Sequence, residues 1–508
     1  MLQRAARRPN AGARLGFGSG LTSKPTALRT APRWTRPSST GPSASPSSKP
    51  ASRTPLLVCA FAVSAAAGWG LSSLGRDRGS DGKIPRLGSD PVDLDDLAQT
   101  PVDAGNFQKA DEKIREDVFI GSFTASGKNT HVHAARVSSN YPVEDMMTYS
   151  LAPGVGKSET LFNGVYDGHA GWATSVLLKK ALIPAVSSAI ARLPASSPDS
   201  SVDATIVKAF TDLDDIISAN AKRAVDGLAV GTTEPGDSRV TAAIAPAIAG
   251  SCALLSIFDP STSILRVACT GDSRAVLGSA SFSGTAAYAT RDLSKDQNGH
   301  NKSEFDRLAR EHPGEEADMI DPKSGRLFGI AVTRAFGDHR WKWDADLIRL
   351  ARDNFWGTGP RPKASTPPYM TAAPVVTTTA VNAGDFVILA SDGLWDHISS
   401  EHAVECVSRW IAARRAGKKT PDDKLAASPG KPSSFDMSKG WANWAATPEH
   451  FVVEDLDNAA VHLVKNALGG NRRTLFTGAA LAYPPLARNV RDDVTVQVIF
   501  FQDPSKSA

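Results

Sequence analysis

A chain of 508 residues, 41% hydrophobic and 22% charged, carries enough apolar surface for a large folded body with tails. Its net charge of +4 is small for this length, and no basic stripe runs through the apolar part, which excludes a dedicated nucleic-acid binder. Four scattered cysteines (Cys59, Cys252, Cys269, Cys406) show neither zinc-finger nor redox spacing and no disulfide framework.

The positive charge is unevenly placed. No acidic residue precedes Asp77, while arginine and lysine recur from Arg4 to Arg53 among Ser, Ala and Pro. That is the composition of a mitochondrial transit segment, assigned to residues 1–54; the alternative is a basic tail that targets nothing. Residues 55–75 form an uncharged, Ala- and Gly-rich stretch near the length needed to span a bilayer. If it crosses the mitochondrial inner membrane, the basic excess on its N-terminal side keeps the N-terminus in the matrix and sends the bulk into the intermembrane space. If it is cleaved on import, the body stays in the matrix. Residues 76–113 are polar and Asp-rich, which reads as a linker. The folded body is assigned to residues 114–502, and 503–508 are a tail.

Within the body, an apolar run over 161–166 ends at Asp167, and Gly168, His169 and a helical pattern follow at once. Ile206, Phe210, Leu213 and Ile217 recur at helical spacing and predict a long amphipathic helix. Residues 227–250, rich in Ala, Gly and Thr, read as an insertion. Strands are predicted over 252–258, 264–268 and 274–277, the first two separated by the turn signal Asp259-Pro-Ser-Thr-Ser. Residues 386–390 and 494–501 give later strands, and 412–443 read as a second, solvated insertion. Helices come in pairs and strands in runs, so the expected class is a layered α+β fold rather than an alternating parallel sheet.

Three apolar strands carry acidic residues at their ends: Val165-Tyr-Asp167-Gly, Phe386-Val-Ile-Leu-Ala-Ser-Asp392-Gly, and Arg491-Asp492-Asp493 before Val494. A carboxylate at the end of a buried strand is costly unless compensated. Several at one end of a sheet repel each other, and a divalent cation resolves that; an all-oxygen set selects Mg²⁺ or Mn²⁺. Singly, each Asp-Gly reads as a turn. Together, with Glu144 and Asp145 upstream, they point to a metal site. Gly154-Val-Gly-Lys-Ser158 is not a phosphate loop, because Leu stands at 151. Cys269 and Arg274 are one residue too close for cysteine-dependent phosphatase chemistry.

The chain resembles the metal-dependent Ser/Thr protein phosphatases of the PPM (type 2C) family. The likeness rests on six motifs in the family's order: Val143-Glu-Asp145, Val165-Tyr-Asp-Gly-His-Ala-Gly171, Thr270-Gly-Asp-Ser-Arg274, Val332-Thr-Arg-Ala-Phe-Gly-Asp338, Leu389-Ala-Ser-Asp-Gly-Leu-Trp-Asp396 and Arg491-Asp-Asp-Val-Thr495. The resemblance implies a four-layer αββα sandwich of two antiparallel sheets between helix pairs. It implies that Asp167 bridges two Mg²⁺ or Mn²⁺ ions and that the Gly168 carbonyl binds one of them. Asp392 and Asp492 would complete the other shell. Glu144 would act through water with Asp145 as its neighbour, and Asp272 would belong to a third, looser position. His169 is the expected acid for the leaving group, against a structural role capping the next helix. The expected substrate is a phosphorylated protein; a non-catalytic member acting as a binding or regulatory module is the alternative.

Two departures qualify the resemblance. Many members have an arginine four residues before the glutamate, where it grips phosphate; here Asn140 stands there, as in the branch related to mitochondrial pyruvate dehydrogenase phosphatase. Arg334 is a candidate replacement, against an ion pair with Asp338 or another carboxylate. Asp493 stands where many members have asparagine. Residues 293–314 resemble the family's flap beside the active site, and their charged helix is either a substrate contact or a solvated surface.

Overall fold

The computed structural model describes residues 106–280, 288–417 and 444–506. The transit segment, the 55–75 stretch, most of the linker and most of the second insertion lie outside these. In chain order the elements are α1 (Phe107–Ile114), β1 (Val118–Ala125), β2 (Lys128–Val137), β3 (Met146–Pro153), β4 (Glu159–Tyr166), β5 (Gly168–His169), α2 (Ala173–Ile190), α3 (Asp199–Asp226), α4 (Ser238–Ile248), β6 (Gly250–Ser251), β7 (Ala253–Asp259), β8 (Ile264–Thr270), β9 (Arg274–Ala280), β10 (Tyr288–Asp292), α5 (Lys302–Glu311), α6 (Glu316–Met319), β11 (Phe336–Gly337), α7 (Ala345–Phe355), β12 (Val375–Ala380), β13 (Phe386–Ala390), α8 (Asp392–Trp395), α9 (Ser400–Arg415), α10 (Ala459–Ala467), α11 (Arg473–Leu481) and β14 (Val494–Phe500).

The strands form a six-stranded sheet, β1-β2-β14-β13-β9-β10, a five-stranded sheet, β12-β8-β7-β4-β3, and a small sheet, β11-β6-β5. All their ladders are antiparallel. This is the α+β class expected.

Side-chain alternation assigns each strand face to a core. On β13, Phe386, Ile388 and Ala390 join a core with α1, α9, α10 and α11, while Val387 and Leu389 point the other way. On β4, Phe162 and Tyr166 join a core with α2, α3, α4 and α7, while Leu161 and Val165 meet Val387 and Leu389. Both strands are buried on two faces, which is why they read as unbroken apolar runs.

Ile206, Phe210, Leu213 and Ile217 all lie buried on α3, as their spacing predicted. α2 is long and apolar enough to cross a membrane by length and composition, but Leu178, Leu182, Val186 and Ile190 are buried in the same core. Residues 227–250 contain α4, whose Val240, Ile244 and Ala247 are buried there too. At the N-terminal side the folded body starts earlier than Ile114. α1 begins at Phe107, Ala110 is fully buried, and Phe107 packs its ring against Phe476 of α11.

Candidate metal centre

Four chain segments deliver carboxylates to one end of the large sheets. β4 runs into Asp167, the turn between β8 and β9 carries Asp272, β13 runs through Ser391 into Asp392, and Asp492 and Asp493 lead into β14. Register brings these ends level, since Ala390 pairs with Arg274 on one side and Val496 on the other. Cys252, at the start of the β7 segment, fixes the Asp167 backbone by donating its N–H to the Asp167 carbonyl at 2.8 Å.

The carboxylate oxygens of Asp167, Asp272 and Asp392 come within 4.8 Å of one another. Burial pushes the Asp167 carboxyl well above its usual range, and the charges of Asp392, Asp145 and Asp272 push the same way. Burial and the Asp392 charge raise Asp272 to about 8. Burial also raises Asp392, against a hydrogen bond from Asp167 that lowers it. Three carboxylates are therefore crowded where few donors reach them: Asp272 meets the Cys252 thiol at 3.4 Å, and Asp167 and Asp392 meet each other. Such a donor set fits a hard divalent cation, which would relieve the repulsion and offset the desolvation.

The other expected ligands surround this triad. Glu144 is held from two sides: the Gly171 N–H donates to Oε1 at 2.6 Å, and Asn140 Nδ2 donates to Oε2 at 2.7 Å. Asp145 is buried behind Asp392, where the Ser391 hydroxyl donates to it at 2.7 Å. Burial, then the Asp493 charge, raises its pKa. Asp272, given a looser position by the resemblance, stands inside the triad. Asp492 stands just outside it: it pairs with Arg488, accepts the Asp493 N–H at 2.6 Å, and its Cβ lies beside Gly393, where an added methyl would sit 3.3 Å away. Gly168 has no room for a side chain, since a Cβ there would come within 2.4 Å of the Glu144 carbonyl oxygen.

The small sheet sets His169. Gly250 on β6 pairs with His169 of β5 on one side and Gly337 of β11 on the other. Asp338, directly after β11, is thereby brought to His169, and Nε2 meets Oδ2 at 2.7 Å. A Cβ at position 250 would fall 2.1 Å from that Nε2 and 2.3 Å from that Oδ2, so only glycine fits beneath the pair. Burial alone would lower the His169 pKa, but the Asp338 charge and hydrogen bond outweigh it and the net shift is upward. His169 does not cap α2.

Arg334 does not reach the site as a phosphate-binding group. Its guanidinium forks onto Glu304 of α5 at 2.7–3.0 Å and donates to the Ala373 carbonyl at 2.8 Å. Its ion-pair partner is Glu304, while Asp338 is taken by His169. Glu304 also binds Arg307 and Thr333, so the charged flap helix is tied into the body through a buried carboxylate.

Comparison with known proteins decides the family. The family model described as protein phosphatase 2C matches residues 139–428. The chain belongs to the protein phosphatase 2C family. A protein phosphatase 2C homolog of Schizosaccharomyces pombe is 37% identical over 72% of this chain and 79% of its own length. The mitochondrial pyruvate dehydrogenase (acetyl-transferring) phosphatase 1 of Saccharomyces cerevisiae is 33% identical over 73% of this chain and 68% of its own length. The human protein of the same name is 32% identical over 60% of this chain and 56% of its own length. This protein phosphatase 2C chain is thus a protein serine/threonine phosphatase whose cluster of Asp167, Asp272 and Asp392 has the donor set a divalent cation takes.

Three residues of the site escaped sequence reasoning. Asp338, offered as one of several possible carboxylate partners for Arg334, holds His169 instead. Arg488 carries no motif signal, because its importance comes from the turn that folds it back onto Asp492. Asp493, standing where many members have asparagine, accepts from Ser139, Asn140, Glu144 and Asp145. The signal for Asp338 was its place directly after Phe-Gly in the fourth motif, and for Asp493 its place in the sixth; for Arg488 there was none.

Proposed function

We propose that this phosphatase hydrolyses phosphoserine and phosphothreonine in proteins with two divalent cations, Mg²⁺ or Mn²⁺, and a third more weakly held. The observation that carries the reading is the convergence of Asp167, Asp272 and Asp392 next to the His169–Asp338 pair. Asp167, Asp392, Asp272 and, after a turn away from Arg488, Asp492 would hold the ions, with the Gly168 carbonyl and Glu144 alongside. When bound, divalent cations supply an acidified water as nucleophile and offset phosphoryl charge.

The chain's own part is orientation and proton delivery. Asn140 and the Gly171 N–H fix Glu144. Asp338 binds Nε2 of His169 and holds a proton on it, which leaves Nδ1 as the nitrogen that would serve the leaving group. A serine or threonine alkoxide is a poor leaving group, and a positioned imidazolium that protonates it as the P–O bond breaks contributes about 10²–10⁴-fold.

The relatives named as mitochondrial pyruvate dehydrogenase phosphatases, together with the basic, acid-poor residues 1–54, support a mitochondrial phosphatase acting on a pyruvate dehydrogenase-type substrate. A membrane anchor at residues 55–75 would place the body in the intermembrane space, and cleavage would place it in the matrix. The full-length chain should release phosphate from a phosphoserine peptide with Mn²⁺ and cease with chelator. No metal-dependent release would remove the reading. Protease protection of the C-terminus in intact and outer-membrane-ruptured mitochondria reports the compartment.

A further inference from the structure

Asn140 leaves the phosphate without its usual grip, and its amide is committed to Glu144 at 2.7 Å. The arginines around the site are nearly all spoken for. Arg334 is forked onto Glu304. Arg274 is forked onto Asp296 at 2.6 and 2.9 Å. Arg491 is buried and donates to the backbone carbonyls of Ala479 and Ser138.

Arg488 differs. Its side chain is 42% exposed and pairs with Asp492, one turn along. It sits on a 3-10 turn, Leu486–Asn489, held by the Ala487 N–H on the Tyr483 carbonyl at 2.8 Å and closed by the Val490 N–H on the Ala487 carbonyl at 2.9 Å. Asp492 in turn lies against Gly393, the neighbour of Asp392. The Arg488 charge also acts through space on Asp392 and opposes the burial that raises it.

We propose that Arg488 grips the phosphoryl oxygens of the substrate in place of the arginine that Asn140 replaces. This rests on the phosphatase reading above. Asp492 is both the partner of Arg488 and a candidate cation ligand. A cation on Asp492 competes with the guanidinium for the same carboxylate and frees its planar fork for a phosphate, the geometry it matches best. The same pairing makes phosphate binding dependent on prior cation binding.

The test uses the full-length chain, R488A and R488K. A phosphoserine peptide gives KM and kcat, inorganic phosphate gives an inhibition constant and a calorimetric affinity in Mn²⁺, and Mn²⁺ alone gives a metal affinity. In R488A the KM and both phosphate constants should weaken by about 10- to 100-fold. The kcat should fall less, and Mn²⁺ affinity should hold or tighten because a competitor for Asp492 has gone. R488K should fall between, since an ammonium keeps the charge without the fork. Adding Asn140→Arg to R488A should restore phosphate affinity. Unchanged phosphate constants in R488A, with weaker Mn²⁺ binding, would overturn the proposal and leave Arg488 as a support for Asp492. Absence of Mn²⁺-dependent turnover in the unmodified chain would instead overturn the phosphatase reading, while calorimetric phosphate binding still reports on Arg488.

Discussion

Two sets of carboxylates lie within one end of this molecule and behave in opposite ways. Asp493 is buried, yet its pKa is lowered. Burial works against its charge, but backbone N–H groups of Ser139, Glu144 and Asn140 and the Ser139 hydroxyl outweigh it. Asp167, Asp272 and Asp392 have few donors and are raised. The first carboxylate is complete within the protein, and the second set is completed only by a cation. Acidity of sequence does not separate them, since Asp492 and Asp493 are neighbours; the count of N–H groups aimed at each oxygen does.

The sharpest way to break this contrast is to remove one charge from each side. Asp167→Asn should abolish Mn²⁺-dependent hydrolysis, by about 10³-fold or more. It should also raise the melting temperature of the chelator-treated protein, because a repulsive charge has gone. A lowered melting temperature would show that Asp167 is structural. Asp338→Asn should reduce turnover of a phosphoserine peptide by about 10²-fold while leaving p-nitrophenyl phosphate, whose leaving group needs no proton, within about threefold. Equal losses on both would remove the proton-delivery role. Gly250→Ala, which wedges a methyl under the His169–Asp338 pair, should reproduce that pattern. Asp493→Ala should do the reverse of Asp167→Asn. It orphans several buried donors and should cost about 3–5 kcal/mol of stability by urea unfolding. No loss of stability would mean that the Asp493 cradle is not what holds the 139–145 loop.

Much of this was legible in the chain, for physical reasons that also mark where legibility stops. Strands such as β4 and β13 could be read because burial on both faces demands unbroken apolar runs. Two members of the triad could be read because Asp167 follows one run at once and Asp392 follows the other after Ser391; Asp272 came only from the resemblance, with a looser position. α1 was missed because Phe107, Ala110 and Ile114 are too few to stand out against a polar stretch; its place is fixed by α11, more than 350 residues away. The Arg334–Glu304 pair and the Arg488–Asp492 pair were out of reach because side-chain direction, not residue type, decides which carboxylate an arginine finds. The His169–Asp338 contact depends on the two-residue strands of the small sheet, too short to leave a periodic pattern.

The same rule extends to a buried base, where the expected effect is smallest. His133 lies in the six-stranded sheet, and the Ala459 N–H donates to its Nδ1 at 3.0 Å. Its edges meet Trp410 and Phe500. Burial lowers its pKa to about 4, His131 and Arg414 push the same way, and Asp457 opposes them weakly. A donor aimed at the ring favours its proton-free form, just as donors aimed at Asp493 favour the carboxylate. Between pH 6.5 and 4 the unfolded chain binds a proton at this position that the folded chain does not. Its contribution to stability is therefore whole above pH 6.5 and lost as the pH falls towards 4, by about 2 kcal/mol at pH 4.5. His133→Gln, compared with the unmodified chain by urea unfolding at pH 7 and pH 4.5, should lose less stability on acidification by that amount. Equal losses in the two proteins would mean that the ring already carries its proton in the fold, and that one backbone donor is not enough to set the charge of a buried group.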